Sequence, residues 1–225
     1  MAGMARPLWG YKVFAVGDVH GCSRKLEALL GRLPIDAEKD VLVFLGDYLN
    51  RGPESKQVVN LLLDVKQHVR RCVFLLGNHE HWLLEYARTG DPDLLRVIRP
   101  LGVEPTLASY GVESIRSLRD LSFLPREHRA FLSELQPYYR LGPYLFIHAG
   151  VIPGEDLESC SLDRLLTVRE PFLSSEAPLD SIVVFGHTPF ETPFVTRDKI
   201  GIDTGAVYGN LLTAVELPSL RFYHA

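Results

Sequence analysis

Cysteine is scarce in this sequence, and the few present follow no recognisable pattern. The 225 residues include only three, widely separated and without a CxxC pair: Cys22, Cys72 and Cys160. An odd, scattered set of this kind argues against a disulfide framework and against a zinc ribbon, and it fits a reducing compartment. The sequence also has no CxxxxxR motif, so nothing indicates a covalent cysteine nucleophile.

Excess positive charge and long apolar segments are absent as well. The net charge of -4 gives no electrostatic reason to expect a nucleic acid as the main partner. No apolar run approaches the roughly 20 residues of a membrane-spanning helix, and the N-terminal stretch lacks the features of a signal peptide. We therefore expect a cytoplasmic protein without membrane association. With 46% hydrophobic residues, a chain of this length can bury a proper core, and we predict a single domain over residues 1–225.

Five short apolar runs have the length and composition of buried strands: YKVFAV, VLVFL, CVFLL, YLFI and IVVF. Each passes straight into a polar cluster, and the clusters are GDVHG (17–21), GDYLNRG (46–52), GNHE (77–80), HAG (148–150) and GHTP (186–189). Helical patterns separate the first three runs, which predicts a β-α-β-α-β start with parallel strands and an α/β fold class. Because ligands bind beyond the carboxyl ends of such strands, we expect all five clusters at one site.

The rest of the chain has a different pattern. Residues from about 83 to 142 contain helical stretches broken by prolines, and we predict a mainly helical insertion lying over the sheet edge. After the last cluster, FVTR, KIGID, LLTAVEL and LRFYH have the lengths of short strands. They predict a closing β-meander.

The polar clusters supply a set of metal ligands: Asp18, His20, Asp47, Asn78, His148 and His187. This mixture of oxygen and imidazole donors suits Mn, Fe or Zn. Six ligands exceed the needs of one ion, and if one aspartate bridges, they divide between two ions about 3.5 to 4 Å apart. Asp47, in GDYLNRG, is the natural bridge. We expect two divalent ions per chain, with manganese favoured.

The five clusters, in this order, resemble the signatures of the calcineurin-like metallophosphoesterases. More narrowly, they are similar to the phosphoprotein phosphatase family and its compact bacterial members, and also to the symmetrical diadenosine tetraphosphate hydrolases. The resemblance implies two packed mixed β-sheets flanked by helices and a metal-dependent phosphatase activity. It also divides the ligands: Asp18, His20 and Asp47 would hold the first metal, and Asp47, Asn78, His148 and His187 the second.

The same resemblance implies roles for further residues. His79 would be the general acid for the leaving oxygen, and phosphate would be bound by Arg51, Asn78 and Arg169, the last in TVREPF. A hydroxide held between the two ions would attack phosphorus directly, without a phospho-enzyme.

Asn50 departs from the family pattern, in which an aspartate at this position would orient the catalytic histidine and stabilise its imidazolium. The amide oxygen of Asn50 can accept a hydrogen bond from His79, but it adds no negative charge. We therefore expect a lower His79 pKa and a weaker supply of protons to the leaving group.

Three functions remain open from the sequence. The GHTP and RGPES segments and the compact chain favour a serine/threonine protein phosphatase acting on phosphoproteins. The alternative is a dinucleoside polyphosphate hydrolase, because a nucleotide leaves as a stable anion and depends less on the acid that Asn50 weakens. A non-catalytic protein that binds phosphorylated partners ranks last, since all six proposed metal ligands are present.

Overall fold

The computed structural model describes residues 10–225; the first nine residues, part of the stretch in which we expect no signal peptide, lie outside the described residues. The first elements alternate between strand and helix: β1 (Val13–Val16), α1 (Ser23–Leu30), β2 (Val41–Phe44), α2 (Ser55–His68) and β3 (Arg71–Phe74). β1 pairs in parallel with β2, and β2 with β3. The predicted β-α-β-α-β start is therefore confirmed.

A helical region follows β3. It comprises four helices and two short 3-10 turns: α3 (Asn78–Thr89), α4 (Pro92–Ile98), Arg99–Leu101, α5 (Glu104–Ser109), Ile115–Arg119 and α6 (Arg126–Ser133). The region begins at Asn78, inside the GNHE cluster, rather than near residue 83. Its apolar side chains, such as Leu83 and Phe131, share one core cluster with α1, α2 and Phe44 of β2. It thus extends the helical layer over a face of the sheet and does not stand at the sheet edge alone.

The second half of the chain builds a second sheet. Its strands are β4 (Tyr138–Leu141), β5 (Tyr144–Ile147), β6 (Ile182–Phe185), β7 (Phe194–Val195) and β8 (Lys199–Gly201), in the order β4-β5-β6-β8-β7. A short helix, α7 (Leu162–Thr167), lies between β5 and β6. β4 falls inside the predicted insertion, so the insertion ends before it.

The last two strands return to the first sheet. β9 (Thr213–Leu217) pairs antiparallel with β1, and β10 (Arg221–His224) pairs with β9. The predicted closing meander is therefore wrong, since β7 and β8 belong to one sheet and β9 and β10 to the other. The sequence of a short strand indicates which of its faces is buried, but it does not identify the strand with which it pairs.

The two mixed sheets pack face to face. Val13, Ala15 and Val43 of the first sheet join Phe146 and Val184 of the second in one buried cluster. Their neighbours along the strands point the other way, into the two helix-covered faces. Burial on both faces explains why these strands read as continuous apolar runs. Among residues 10–225, no helix combines the length and the apolar character that crossing a bilayer requires.

Candidate metal centre

All five predicted clusters meet at one end of the two packed sheets. The first sheet contributes the turns after β1, β2 and β3, and the second sheet contributes the turns after β5 and β6. The predicted meeting of the clusters thus draws on both sheets. Most of the proposed side chains are removed from solvent: Asp18, His20, Asp47, Asn50, Asn78, His79 and His148 are buried, and His187 is half-buried.

The turns that carry these side chains are sharply bent. Seven non-glycine residues in the described chain have a positive φ, and five of them lie here: His20, Asp47, Asn50, Arg51 and His187. Such conformations are costly for non-glycine residues and persist only where the surroundings hold them.

Glu80, which the sequence analysis assigned no role, supplies much of that restraint. Its carboxylate is fully buried and accepts three backbone N–H bonds of 3.0 Å, from Asp47, Tyr48 and Leu49. Burial, followed by the charge of Asp47, raises the pKa of Glu80 to about 8. The glutamate of GNHE therefore fixes the turn that carries Asp47, the proposed bridging ligand, and its place inside a recognised cluster was the available signal.

One group of donors converges around the amide oxygen of Asn78. This oxygen lies 2.9 Å from Nδ1 of His187 and 3.0 Å from Nε2 of His148. The same His148 nitrogen is 3.5 Å from Oδ1 of Asp47. These four residues are the set proposed for the second metal, and the fold brings all of them together.

The other group lies on the opposite side of Asp47. Its second oxygen, Oδ2, is 3.4 Å from Nε2 of His20 and 3.7 Å from Nε2 of His79. The carboxylate of Asp18 accepts the backbone N–H of His187 at 3.1 and 3.2 Å, which links the first and last clusters. The two oxygens of Asp47 therefore face two different sets of donors, as a bridging ligand requires.

The imidazoles are oriented as metal ligands. Nδ1 of His20 donates to the carbonyl oxygen of Leu49 at 3.0 Å, and Nδ1 of His148 donates to that of Leu45 at 2.9 Å. Each bond leaves the Nε2 lone pair directed into the site. Metal-ligating histidines typically carry such a hydrogen bond on the nitrogen that does not bind the ion.

Burial prepares the charge states of these donors. It lowers the pKa of His20 to about 3, of His148 to about 4 and of His187 to about 2, so the imidazoles are neutral. It raises the pKa of Asp47 to about 7 and that of Asp18 well above its usual range. Neutral imidazoles beside buried carboxylates are the donor set that divalent ions such as Mn, Fe or Zn fit.

Glycines make room for the two aspartates. A Cβ on Gly77 would lie 2.1 Å from Oδ1 of Asp47, and a Cβ on Gly186 would lie 2.1 Å from Oδ1 of Asp18. Any side chain at either position would displace a carboxylate. The glycines of GNHE and GHTP thus allow the backbone to approach the two carboxylates closely.

Two arginines border the centre. Nη1 of Arg51 lies 2.9 Å from Nε2 of His20, at the lone pair that faces the site. Arg169 is exposed, and its charge lowers the pKa of His187, after the larger effects of burial and His148. Both arginines proposed to bind phosphate therefore stand beside the predicted ligands.

Asp203 is a second residue to which the sequence analysis gave no role. It is buried, and after burial itself its charge is the largest cause of the raised pKa of Asp18. It follows β8 in the segment IDTG, with the same sequence of apolar strand and polar turn as the five recognised clusters. That repetition could have identified it.

The contact between Asn50 and His79 differs from the one the sequence predicts. The amide nitrogen of Asn50, not its oxygen, faces Nδ1 of His79 at 3.1 Å. The amide oxygen instead accepts a hydrogen bond of 2.9 Å from Oγ1 of Thr106, which also contacts Oγ of Ser55 at 3.0 Å. Thr106 is buried in α5, so the helical region sets the orientation of the amide.

This orientation defines the tautomer of His79. Because the amide nitrogen donates to Nδ1, the imidazole carries its proton on Nε2, the nitrogen that faces the metal ligands. Burial is the largest cause that holds the pKa of His79 well below its usual range, and the neighbouring His20 acts in the same direction. The predicted depression of the His79 pKa thus agrees in direction with the structure.

Comparison with known proteins gives a consistent family. A family model described as calcineurin-like phosphoesterase matches residues 11–210. The bis(5'-nucleosyl)-tetraphosphatase PrpE [asymmetrical] of Oceanobacillus iheyensis is 29% identical over 94% of this chain and 90% of its own length. Among solved structures, a candidate diadenosine tetraphosphatase aligns with a TM-score of 0.74 and 25% identity, covering 98% of this chain and 95% of that one. A mutant of a cold-active protein tyrosine phosphatase aligns with a TM-score of 0.62 over 94% of this chain and 76% of its own, but at 18% identity it shares the fold alone.

Proposed function

The chain belongs to the calcineurin-like phosphoesterase family, and from that premise we propose that it hydrolyses dinucleoside polyphosphates such as diadenosine tetraphosphate. Membership of this family makes the chain a metal-dependent phosphoric ester hydrolase. For the substrate, the asymmetrical tetraphosphatase from Oceanobacillus iheyensis and the candidate diadenosine tetraphosphatase support the dinucleoside polyphosphate alternative over the serine/threonine protein phosphatase that the sequence favours.

The observation that carries the proposal is the amide of Asn50 on His79. A neutral amide does not stabilise an imidazolium as a carboxylate does. His79 beside Asn50 therefore takes up a second proton less readily and is a weaker source of protons for the leaving group. A serine alkoxide depends strongly on protonation, whereas a nucleotide leaves from a phosphoanhydride as a stable anion, with a second phosphate pKa of about 6. The site therefore suits an anhydride better than an alkyl ester.

The residues present would hold two divalent ions. Asp18, His20 and Asp47 would ligate one, and Asp47, Asn78, His148 and His187 the other. Such a pair supplies Lewis acidity and an activated water for in-line displacement at phosphorus.

His79 and the arginines act on the substrate itself. Nε2 of His79 lies 3.7 Å from Oδ2 of Asp47, and its N–H would donate a hydrogen bond to the leaving oxygen in the same region. Asn50 keeps Nδ1 as an acceptor and so keeps that proton on Nε2. Arg51 and Arg169 would bind the non-reacting phosphate oxygens through their planar guanidinium groups.

Arg51 has to exchange one partner for another in this scheme. Its guanidinium now donates to Nε2 of His20, a predicted metal ligand. As a metal ligand, Nε2 of His20 would no longer accept that N–H, and the Arg51 guanidinium would be available to phosphate. The amide nitrogen of Asn78 would provide a further donor, since its oxygen faces His148 and His187.

The products of diadenosine tetraphosphate test the proposal. Manganese-loaded protein is incubated with the dinucleotide, and the products are separated by anion-exchange chromatography, with Asp47→Asn as the control that lacks the bridge. An off-centre cut, as the relative's name describes, yields ATP and AMP. Two molecules of ADP would contradict the asymmetrical cut, and turnover no faster than that of the Asp47→Asn variant would contradict the function.

A further inference from the structure

Tyr208 is an exposed aromatic residue at the border of the metal centre. Its side chain is 63% exposed, the highest value among the large hydrophobic residues that the structure finds at the surface of residues 10–225. The guanidinium carbon of Arg51 lies 5.4 Å from the centroid of its ring. Tyr208 thus adjoins the arginine assigned to phosphate while most of its side chain stays open to solvent.

The loop that carries Tyr208 is held in place. Residues Ala206–Tyr208 form a 3-10 turn between Gly205 and Gly209, which have φ values of 70° and 98°. Ala206 is buried, and its carbonyl oxygen accepts a hydrogen bond of 2.7 Å from Nζ of Lys25 in α1.

Two further contacts complete this restraint. Nζ of Lys25 also donates to the carbonyl oxygen of Asn210, and the N–H of Gly205 donates to Oδ1 of Asp203 at 2.9 Å. The turn is therefore tied at both ends, on one side to α1 and on the other to a residue beside Asp18. An aromatic ring on such a turn is presented at a fixed position, at little entropic cost to a ligand that stacks on it.

We propose that Tyr208 is the platform on which a nucleobase of the substrate stacks. This inference rests on the proposed function, because it assumes that the bound phosphate carries a nucleoside. Arg51 lies between His20 and Tyr208, contacting the imidazole on one side and the ring on the other. In a nucleotide the ribose separates the phosphate from the base. A phosphate bound at Arg51 would therefore place the base further from the metal centre, on the side where Tyr208 lies.

Stacking on Tyr208 would provide affinity without selecting among bases. Every nucleobase has a π-face, so an aromatic side chain accepts all of them, and removing one such platform weakens binding by about tenfold. A purely structural role fits poorly, because a side chain this exposed contributes little to the core. If Tyr208 served only to hold Arg51, ligands with and without a base would depend on it equally.

The test compares two ligands that differ by one nucleoside. Adenosine 5'-(α,β-methylene)diphosphate and methylenediphosphonate carry the same non-hydrolysable phosphonate, and calorimetry of the manganese-loaded protein measures the Kd of each. The variants are Tyr208→Ala and Tyr208→Phe, and Leu211→Ala is the matched control, since it removes an exposed apolar side chain, 48% exposed, three positions further along the chain.

The measured quantity is the ratio of the Kd of the base-free compound to the Kd of the adenosine compound. We expect this ratio to be about tenfold higher in wild-type protein than in Tyr208→Ala. Tyr208→Phe and Leu211→Ala should keep the wild-type ratio. An equal ratio in wild type and Tyr208→Ala, or no preference for adenosine in wild type, overturns the inference. The proposed function fails separately, if diadenosine tetraphosphate is not hydrolysed, because these binding ratios require no turnover.

Discussion

The side-chain amide nitrogen of Asn50 lies 3.1 Å from Nδ1 of His79, and the amide oxygen is occupied by Thr106. An aspartate at this position would require a proton on Nδ1 and would stabilise a doubly protonated ring. The amide allows a neutral imidazole that carries its proton on Nε2 and faces the predicted metal ligands. If His79 is the general acid, this single neutral side chain limits how well it protonates a poor leaving group.

Replacing Asn50 with aspartate should raise activity on a phosphoserine peptide relative to diadenosine tetraphosphate, by about tenfold. The carboxylate would raise the pKa of His79, so the alkaline limb of the kcat profile should move to higher pH. Both effects are measured by determining kcat for the two substrates from about pH 4 to pH 9, because the pKa of His79 in wild type lies well below its usual value. An unchanged ratio between the substrates would remove the explanation given for Asn50.

His79→Ala should slow substrates in proportion to the basicity of their leaving groups. Loss of a general acid typically costs about 10²- to 10⁴-fold where the leaving oxygen needs a proton. We expect that loss on phosphoserine and a much smaller one on 4-nitrophenyl phosphate, whose leaving group is already a stable anion. Rates for the two esters, compared in wild type and variant, decide the matter; equal losses would argue against the acid role.

Metal binding should stabilise the protein more at pH 8 than at pH 6. Burial raises the pKa of Asp47 to about 7 and that of Glu80 to about 8. Above about pH 5 the unfolded chain has released the protons of these two carboxyl groups, whereas the folded metal-free chain still holds them. The protons therefore stabilise the folded state, and this stabilisation is lost as the pH rises through the two folded-state pKa values. A divalent ion replaces the proton of Asp47, so its benefit grows over the same window.

The melting temperature with and without manganese measures this effect. We expect the gain to be several degrees larger at pH 8 than at pH 6, and largely absent in Asp47→Asn at both values. Equal gains in wild type at the two pH values would contradict the coupling between Asp47 and the ion.

Gly186→Ala should weaken metal binding while leaving most of the fold intact. The added Cβ would lie 2.1 Å from Oδ1 of Asp18, so the carboxylate has to move. Gly31→Ala is the control, because its Cβ would meet nothing closer than 3.6 Å and its φ is -65°. Metal content after gel filtration should fall in Gly186→Ala alone, and equal content in both variants would show that Asp18 is not a ligand.

Much of this site could be predicted from the sequence because its signal is local. Each proposed ligand lies in the segment directly after an apolar strand, and the carboxyl ends of these strands meet at one end of the packed sheets. Asp18, Asp47 and His148 were therefore identifiable without a structure, as was their convergence.

The remaining features depend on contacts distant in the chain. Thr106 lies 56 residues from Asn50, and no local pattern assigns its hydroxyl to that amide. Glu80 acts on backbone groups more than 30 positions away. The sequences of the last four strands indicate which side chains are buried but not which strands pair. Their division between two sheets could therefore not be predicted from the sequence.

Turnover of diadenosine tetraphosphate and of a phosphoserine peptide, side by side at equal concentration with manganese-loaded protein, tests the substrate most directly. If the site is built for anhydrides, kcat/KM for the dinucleotide will exceed that for the peptide by about tenfold or more. A higher value for the peptide would contradict this conclusion and would make Asn50 a tolerated variation within a protein phosphatase.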